Sequence, residues 1–427
     1  MNYEEKVANT PQCTVERTVN IIGGKWTTLI VRELLGGTKR FGEIRTSLTG
    51  VSPKTLTDRL RELEAHGIVD REVYAEVPPR VEYSLTERGR ALRPIFDAMS
   101  EWGASGRSES EGPELVSALD ALNSLERVTL GGLEQTLLLR GSPRNPVLLF
   151  LHGGPGVSEM SLSPYMRALE QRFLVVHWDQ RGAGRSFLPG MPRDVMTLDH
   201  LLADTRDLAK VLQARFQKEK LLLVGHSWGG ALGALTAKRH PELFHALVGV
   251  GPLVHGQENE TRFYNYVLAR AQQLKRMATL RRLHLLGEPD ASANSFLMRW
   301  WWLYRMGNLF YRSGDLARAL WTGVRFYAPR EVPRYFQALF FSLESLWTAK
   351  LRLNLFESAA SLQVPVYLFA GRHDVVTPTD LAQAYFHEVN APEKELVWFE
   401  RSAHCPHLEE PERFAEVLAA RASTFIH

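Results

Sequence analysis

Before position 103 the apolar residues recur at helical spacing in short runs. Trp26, Leu29, Ile30, Leu34 and Leu35 mark one face of a helix over residues 25–35. Residues 41–48 predict a second short helix. Ser52 and Pro53 open a third, with a hydroxyl at the N-cap and proline at the first helical position. Leu56, Leu60 and Leu63 form its stripe, and Gly67 ends it. Two β-rich runs, 68–74 and 80–85, flank a turn holding Pro78 and Pro79. Thr86 caps a last helix running to Trp102. Helix–turn–helix followed by a β-hairpin predicts a small α+β winged helix over residues 1–102.

The grammar then changes. Residues 103–113 alternate Gly, Ser and charge with no apolar period, and Pro113 breaks any helix entering from either side. A flexible linker is expected over 103–123, with a short amphipathic helix marked by Leu115, Leu119 and Leu122. Beyond it, six continuous apolar runs alternate with helical segments: 147–151, 174–178, 221–224, 246–250, 366–370 and 396–399. Runs apolar at every position suit parallel strands buried on both faces. Their alternation with helices predicts a doubly wound, mostly parallel sheet over 124–427. Residues 253–355 break the rhythm with helical, Trp- and Tyr-rich sequence, as a helical cap inserted over the sheet would.

Composition narrows the options. The chain has 427 residues, 44% hydrophobic and 23% charged, which excludes a disordered or fibrous protein. No apolar run is long enough to span a bilayer, and residues 1–12 lack the apolar core of a signal peptide. Two cysteines, Cys13 and Cys405, exclude a disulfide scaffold and make a reducing cytoplasm the expected setting. The net charge of +3 is too small to argue for nucleic acid from the whole chain. Between Lys25 and Arg61, however, eight basic residues face three acidic ones. That is the concentration phosphate binding needs. Lys54, Thr55, Thr57 and Arg59 occupy the first turns of the third helix, where base edges are read, and Arg80 flanks the hairpin tip.

The strongest chemical signal is Gly225-His226-Ser227-Trp228-Gly229 between a strand run and a helix-forming run. A serine on such a sharp turn is an exposed nucleophile, and glycine must flank it because the turn leaves no room for side chains. A serine needs a base and the base an orienting acid, in the chain order Ser, acid, His. Asp374 and His404 follow the last two strand runs. Asp380 is a weaker rival for the acid, and His373 and His407 are neighbouring competitors for the base. The oxyanion needs two N–H donors. Trp228 is the first, and Gly154 in His152-Gly153-Gly154-Pro155-Gly156 the second, with Gly153 as the alternative.

Two resemblances add to this reading. CTVERTVNIIGGKWTTLIVRELLGGTKRFGEI and GVSPKTLTDRLRELEAHGIVDREVYAEVPPRVEYSLTERGRAL resemble the HxlR family of winged-helix transcription regulators. That resemblance implies operator DNA as partner and a homodimer paired through its terminal helices. It also places Cys13 where some members carry a cysteine that senses electrophiles or oxidants. LLFLHGGPG, VVHWDQRGAGRS, LLLVGHSWGGALG, AGRHDVVTP and ERSAHCPHLEEPERF resemble, in order, the proline iminopeptidase group of the α/β-hydrolase superfamily. This second resemblance implies the triad Ser227, Asp374 and His404, acyl transfer without metal or cofactor, and a structural role for Asp179 and Arg181. Aminopeptidases of the group hold the substrate amine with cap acids, for which Glu258 and Glu260 are the nearest candidates. Trp300, Trp301, Trp302, Tyr304, Phe310 and Tyr311 suggest an aromatic cap, in which some rings are expected to pack helices together and others to line an apolar acyl pocket. The expected protein is a DNA-binding regulator fused to a serine hydrolase acting on a small-molecule amide or ester. The alternative is a regulator whose hydrolase fold serves mainly as a ligand sensor.

Overall fold

The computed structural model describes Thr18 and residues 21–48, 50–74, 80–105, 121–287 and 310–424. The chain divides into two compact units, Met1–Gly112 and Pro113–His427.

In the first unit, α1 (Lys25–Leu35), α2 (Phe41–Ser47) and α3 (Pro53–Ala65) pack with a small antiparallel sheet. The Ser52 hydroxyl accepts from the Thr55 N–H at 3.0 Å, the cap the sequence anticipates. Leu56, Leu60 and Leu63 are buried, against Ile30, Val31 and Leu34 of α1. The sheet has three strands, with β3 (Arg80–Leu85) between β1 (Lys39–Arg40) and β2 (Val69–Tyr74). The two-residue β1 is too short to carry a periodic signal, so the sequence did not reveal it. The helix expected over 86–102 is broken: α4 (Glu87–Arg90) starts under the Thr86 cap, and α5 (Arg93–Ser105) follows after a turn. Pro94 explains the break, since it cannot donate to residue 90 and its ring crowds that carbonyl.

The second unit is built on an eight-stranded sheet. Its strands are β4 (Leu122–Leu130), β5 (Leu133–Gly141), β6 (Val147–Leu151), β7 (Leu174–Asp179), β8 (Leu221–His226), β9 (Phe244–Val250), β10 (Val366–Gly371) and β11 (Lys394–Phe399). The spatial order is 11-10-9-8-6-7-5-4. From β11 to β7 the pairings are parallel, and β5 pairs antiparallel with both β7 and β4. Successive residues of the continuous runs feed two different cores. Leu149, Val176 and Leu223 face one, while Phe150, Val175 and Val224 face the other. That is why these strands carry no polar alternation.

The helix expected near Leu122 is corrected. Leu122 is not part of a helix; it begins β4, and Leu115 and Leu119 lie outside the described residues. The β4–β5 hairpin itself escaped the reading of apolar runs, because β4 alternates half-buried and exposed positions. Its turn does have a signature: Gly131 and Gly132 both sit at positive φ, +51° and +77°, as a two-residue hairpin loop requires.

The chain leaves the sheet after β9 and returns before β10. Between them α6 (Gly256–Gln273), α7 (Met277–Leu286), α8 (Ser313–Phe326) and α9 (Val332–Arg352) form the helical insertion. An isolated antiparallel bridge between His255 and Asn354 closes its base. The Gly256 N–H donates to Leu353 O at 2.7 Å, and Leu355 N–H to Val254 O at 2.8 Å. Among the described residues no helix is long and apolar enough to cross a membrane.

Candidate active site

The order of strands reverses at β6, which lies between β7 and β8. At such a switch point the loops leaving the carboxyl ends diverge and open a crevice. Ser227 sits there, between β8 and the helix Trp228–Arg239, with φ +54° and ψ −114°. That backbone is costly for a non-glycine residue. It is held by the Ser227 N–H donating to Val250 O at 2.9 Å. The flanking glycines are needed for space. A Cβ on Gly225 would lie 2.2 Å from Gly229 O, and one on Gly229 would lie 2.1 Å from Leu151 O.

Asp374 follows β10 and is buried. Its Oδ1 accepts from Val376 N–H at 2.8 Å and Thr377 N–H at 3.0 Å. Its Oδ2 lies 2.8 Å from His404 Nδ1 and accepts from the Thr377 hydroxyl at 2.7 Å. Burial pushes this carboxyl up, but the charge and hydrogen bond of His404 and the Thr377 contacts bring it below its ordinary pKa. Gly251, at φ +46°, makes room for the pair, since a Cβ there would lie 3.0 Å from Asp374 Oδ2 and 3.3 Å from His404 Nδ1. Ser227 and His404 line one cavity of about 140 Å³, together with Gly153 and Gly154. The competitors lie elsewhere. Asp380 pairs with Arg262, His373 stacks on Tyr311, and His407 faces Glu159.

The two candidate donors of the loop after β6 differ in their partners. Gly153 donates its N–H to Glu159 Oε1 at 3.0 Å. The Gly154 N–H has no acceptor among the described residues. Trp228 is the first residue of its helix, so its N–H has no acceptor within the helix either. Asp179 and Arg181 lie under the loops. Arg181 is fully buried in a two-point contact with Asp204, at 2.8 and 2.7 Å, and Asp179 accepts from Arg185 N–H at 2.7 Å.

The cap acids do not line the cavity. Glu258 is half-exposed and paired with Arg262 at 2.8 Å. Glu260 is buried against Lys350 Nζ at 2.6 Å, and it is Lys350 that borders the cavity. Phe310 lines the cavity, whereas Tyr311 is exposed. Trp300, Trp301, Trp302, Tyr304 and Cys13 lie outside the described residues. Sequence reasoning missed Glu159, His226 and Lys350. Only His226, inside the Gly-x-Ser-x-Gly pattern, sat within a motif.

Several histidines of this region are buried neutral. His177 has no hydrogen-bond partner for either ring nitrogen among the described residues, and burial pushes its pKa down to about 3. Burial likewise takes His407 down to about 4, against the pull of its hydrogen bond to Glu159. Both sit below the ordinary 6.5, so as pH falls through 6.5 the unfolded chain takes up protons that the fold refuses. Asp179, pushed up by burial to about 6, works in the opposite sense below that pH. Glu409, which burial pushes up to about 7, works in that opposite sense as well, so between about pH 7.5 and about pH 5 the two carboxyls largely offset the two histidines.

In the first unit, Lys54 is exposed at the start of α3, and Thr55 and Thr57 are half-buried. Thr57 turns its hydroxyl back to Pro53 O at 2.9 Å. Arg59 pairs with Glu62 at 2.5 Å. Arg80 lies over the Tyr74 ring, 4.0 Å from its centroid, and 3.5 Å from Glu82.

Comparison with known proteins agrees with both halves. Residues 21–111 match an HxlR-like helix-turn-helix model, and residues 146–411 match an alpha/beta hydrolase fold model. The chain is 33% identical over 305 residues to a probable aminopeptidase, YbaC, of Bacillus subtilis, covering 70% of this chain and 96% of that one. It is 52% identical over 103 residues to an uncharacterized HTH-type transcriptional regulator, YybR, of the same organism, covering 24% of this chain and 82% of the regulator. A proline iminopeptidase-related protein from Thermus thermophilus shares the fold, with TM-score 0.52 and 21% identity over 71% of this chain and 98% of the other. The chain therefore belongs to the alpha/beta hydrolase fold family, and it carries an HxlR-like helix-turn-helix domain ahead of the hydrolase.

Proposed function

We propose that the hydrolase unit cleaves a small ester or amide through Ser227, with His404 as base and Asp374 as its orienting acid. The observation that carries this reading is the 2.8 Å contact between His404 Nδ1 and Asp374 Oδ2, beside a cavity that Ser227 and His404 share. Ser227 Oγ attacks the carbonyl carbon while His404 Nε2 takes its proton. The oxyanion is received by the N–H groups of Gly154 and Trp228. His404 returns the proton to the leaving group, and water then releases the acyl group by the same steps. Fluorophosphonate is expected to label wild type at Ser227 and to spare Ser227→Ala; labelling elsewhere removes the reading.

The cavity favours substrates without a free α-amine. Its lining is mainly apolar, with Val157, Leu162, Leu253 and Phe310. The carboxylates at or beside the cavity already have partners, Glu260 with Lys350 and Glu159 with His226 and His407, so neither is free to hold an entering ammonium. Para-nitroanilides of N-acetylated amino acids are therefore expected to turn over at least about tenfold faster than the same anilides with a free α-amine, the discrimination a single mismatched polar contact supplies. The reverse order restores an aminopeptidase reading.

The first unit binds operator DNA through α3, with Lys54, Thr55, Thr57 and Arg59 at the surface offered to the duplex. Terminal-helix pairing of two copies is supported by Ile95 and Met99, exposed on α5. Lys54→Ala is expected to weaken binding to specific and unrelated duplexes alike, and to lower the slope of log K against log salt by about 1. Gel shifts across a salt series against the upstream DNA of its own gene measure this; an unchanged slope takes Lys54 off the phosphates.

A further inference from the structure

Beside the proposed triad lies a buried cluster that the acyl transfer does not use. Glu159 belongs to the loop after β6, His226 ends β8, and His407 belongs to the segment after β11. The carboxylate of Glu159 faces three nitrogens. Gly153 N–H at 3.0 Å and His226 Nδ1 at 2.6 Å meet Oε1, and His407 Nε2 at 3.1 Å meets Oε2. On the other side of the His226 ring, Nε2 lies 3.0 Å from the carbonyl oxygen of His404. A carbonyl oxygen only accepts, so Nε2 carries a hydrogen. Oε1 already accepts the Gly153 N–H, and a carboxylate ringed by N–H donors keeps its charge. Nδ1 therefore carries a hydrogen as well, and an imidazole with both is a cation.

We propose that His226 is a buried imidazolium whose salt bridge to Glu159 clamps the loop bearing Gly154 to the loop bearing His404 across Ser227. It is a positioning residue: it lines the cavity, but its part is to fix the donors and the base relative to each other rather than to exchange a proton with the substrate. The groups facing its ring are Glu159, then His404 and His407, each with ring centroids 4.6 Å away, and the Cys405 sulfur 4.0 Å from Nε2. Asp374 adds attraction from behind His404, and His152 a small repulsion. Burial pushes the Cys405 thiol well up, so it brings no charge. Burial also works against the cation, but the Glu159 charge and hydrogen bond outweigh it and raise the His226 pKa. The ligand atoms of Glu159, His226 and His407 lie within 4.8 Å of one another, close enough for a metal ion. Metal binding would require both histidine nitrogens to surrender the hydrogens they direct at the carboxylate.

Nitrogen-15 spectra of the full chain with labelled histidine rings test the proposal. At about pH 8, where a free imidazole is neutral, both ring nitrogens of His226 are expected to be protonated. The resonances are assigned by their loss in His226→Gln. A singly protonated or metal-bound ring overturns the proposal, whether or not any substrate is turned over. The kinetic arm rests on the hydrolase reading. Glu159→Gln keeps the shape and removes the charge, so the pH at which kcat falls on the alkaline side should drop by about 1–3 units, with little change in KM. Coincident alkaline limbs overturn the proposal, since general loosening lowers kcat evenly across pH. Fluorophosphonate labelling of the variant at Ser227 reports the hydrolase reading separately. If Glu159→Gln does not fold, the wild-type spectrum decides alone.

Discussion

Asp374→Asn is expected to cut ester turnover roughly 10⁴-fold while leaving the fold in place, the size of loss that follows when a triad base is held in the wrong tautomer. The hydrogen-bond pattern dictates which way the amide turns. Oδ1 of Asp374 accepts two backbone N–H groups, from Val376 and Thr377, so the amide oxygen must take that position. The NH₂ group then replaces Oδ2, opposite His404 Nδ1 and the Thr377 hydroxyl. Thr377 adapts, because its hydroxyl can donate to Gly251 O alone, 2.9 Å away, and accept from the new amide. His404 cannot adapt without cost. Nδ1 becomes an acceptor, the ring hydrogen moves to Nε2, and Nε2 can no longer take the serine proton. Steady-state kinetics with a para-nitrophenyl ester, alongside thermal melting, check this. Loss below about tenfold at an unchanged melting temperature would falsify the role of Asp374.

The second large effect is on stability. Arg181→Met is expected to destabilise the hydrolase unit by about 3–5 kcal/mol, because it leaves Asp204 charged and buried without its partner. Arg181 and Asp204 are 1% and 0% exposed. Removing the guanidinium leaves the Asp204 carboxylate with Gln135 Nε2, at 2.7 Å, as its remaining side-chain donor. For a unit of this size the loss corresponds to a fall in melting temperature of roughly 5–8 °C. The double variant Arg181→Met, Asp204→Leu should recover most of it, since two apolar side chains carry no desolvation penalty for charge. A double variant no more stable than the single one shows instead that the pair supplies geometry. That outcome would point to the β4–β5 turn, where a Cβ on Gly131 would lie 2.3 Å from Arg181 Nη2.

What could be read from the sequence followed from where the information is local. The parallel strands were legible because both faces of each are buried, so every position had to be apolar. Ser227 was legible because its turn demands Gly225 and Gly229 within two positions on either side. Asp374 and His404 were legible because each follows a strand whose end points at the crevice. The β4–β5 hairpin was not, because its outer strand hides its alternation among charged residues, and only the paired glycines betrayed it. Pro94 carried the signal that α4 and α5 separate, but a continuous helix was drawn through it. Glu258 and Glu260 were chosen as charges in a cap. Yet the role of a buried charge is set by its neighbour in space, and Lys350 lies 90 positions further along the chain. Glu159 depends in the same way on His226 and His407, 67 and 248 positions further along the chain.

The bridge between His255 and Asn354 brings the entry and exit of the insertion side by side, as paired strand residues are. Everything between these two positions can lengthen, shorten or be exchanged as a cassette without redirecting the polypeptide below. Ser227, Asp374, His404, Gly154 and Trp228 lie outside that cassette, while Lys350 and Phe310 lie inside it. On the proposed function, a transplanted insertion from a relative is expected to carry its own substrate preference with it.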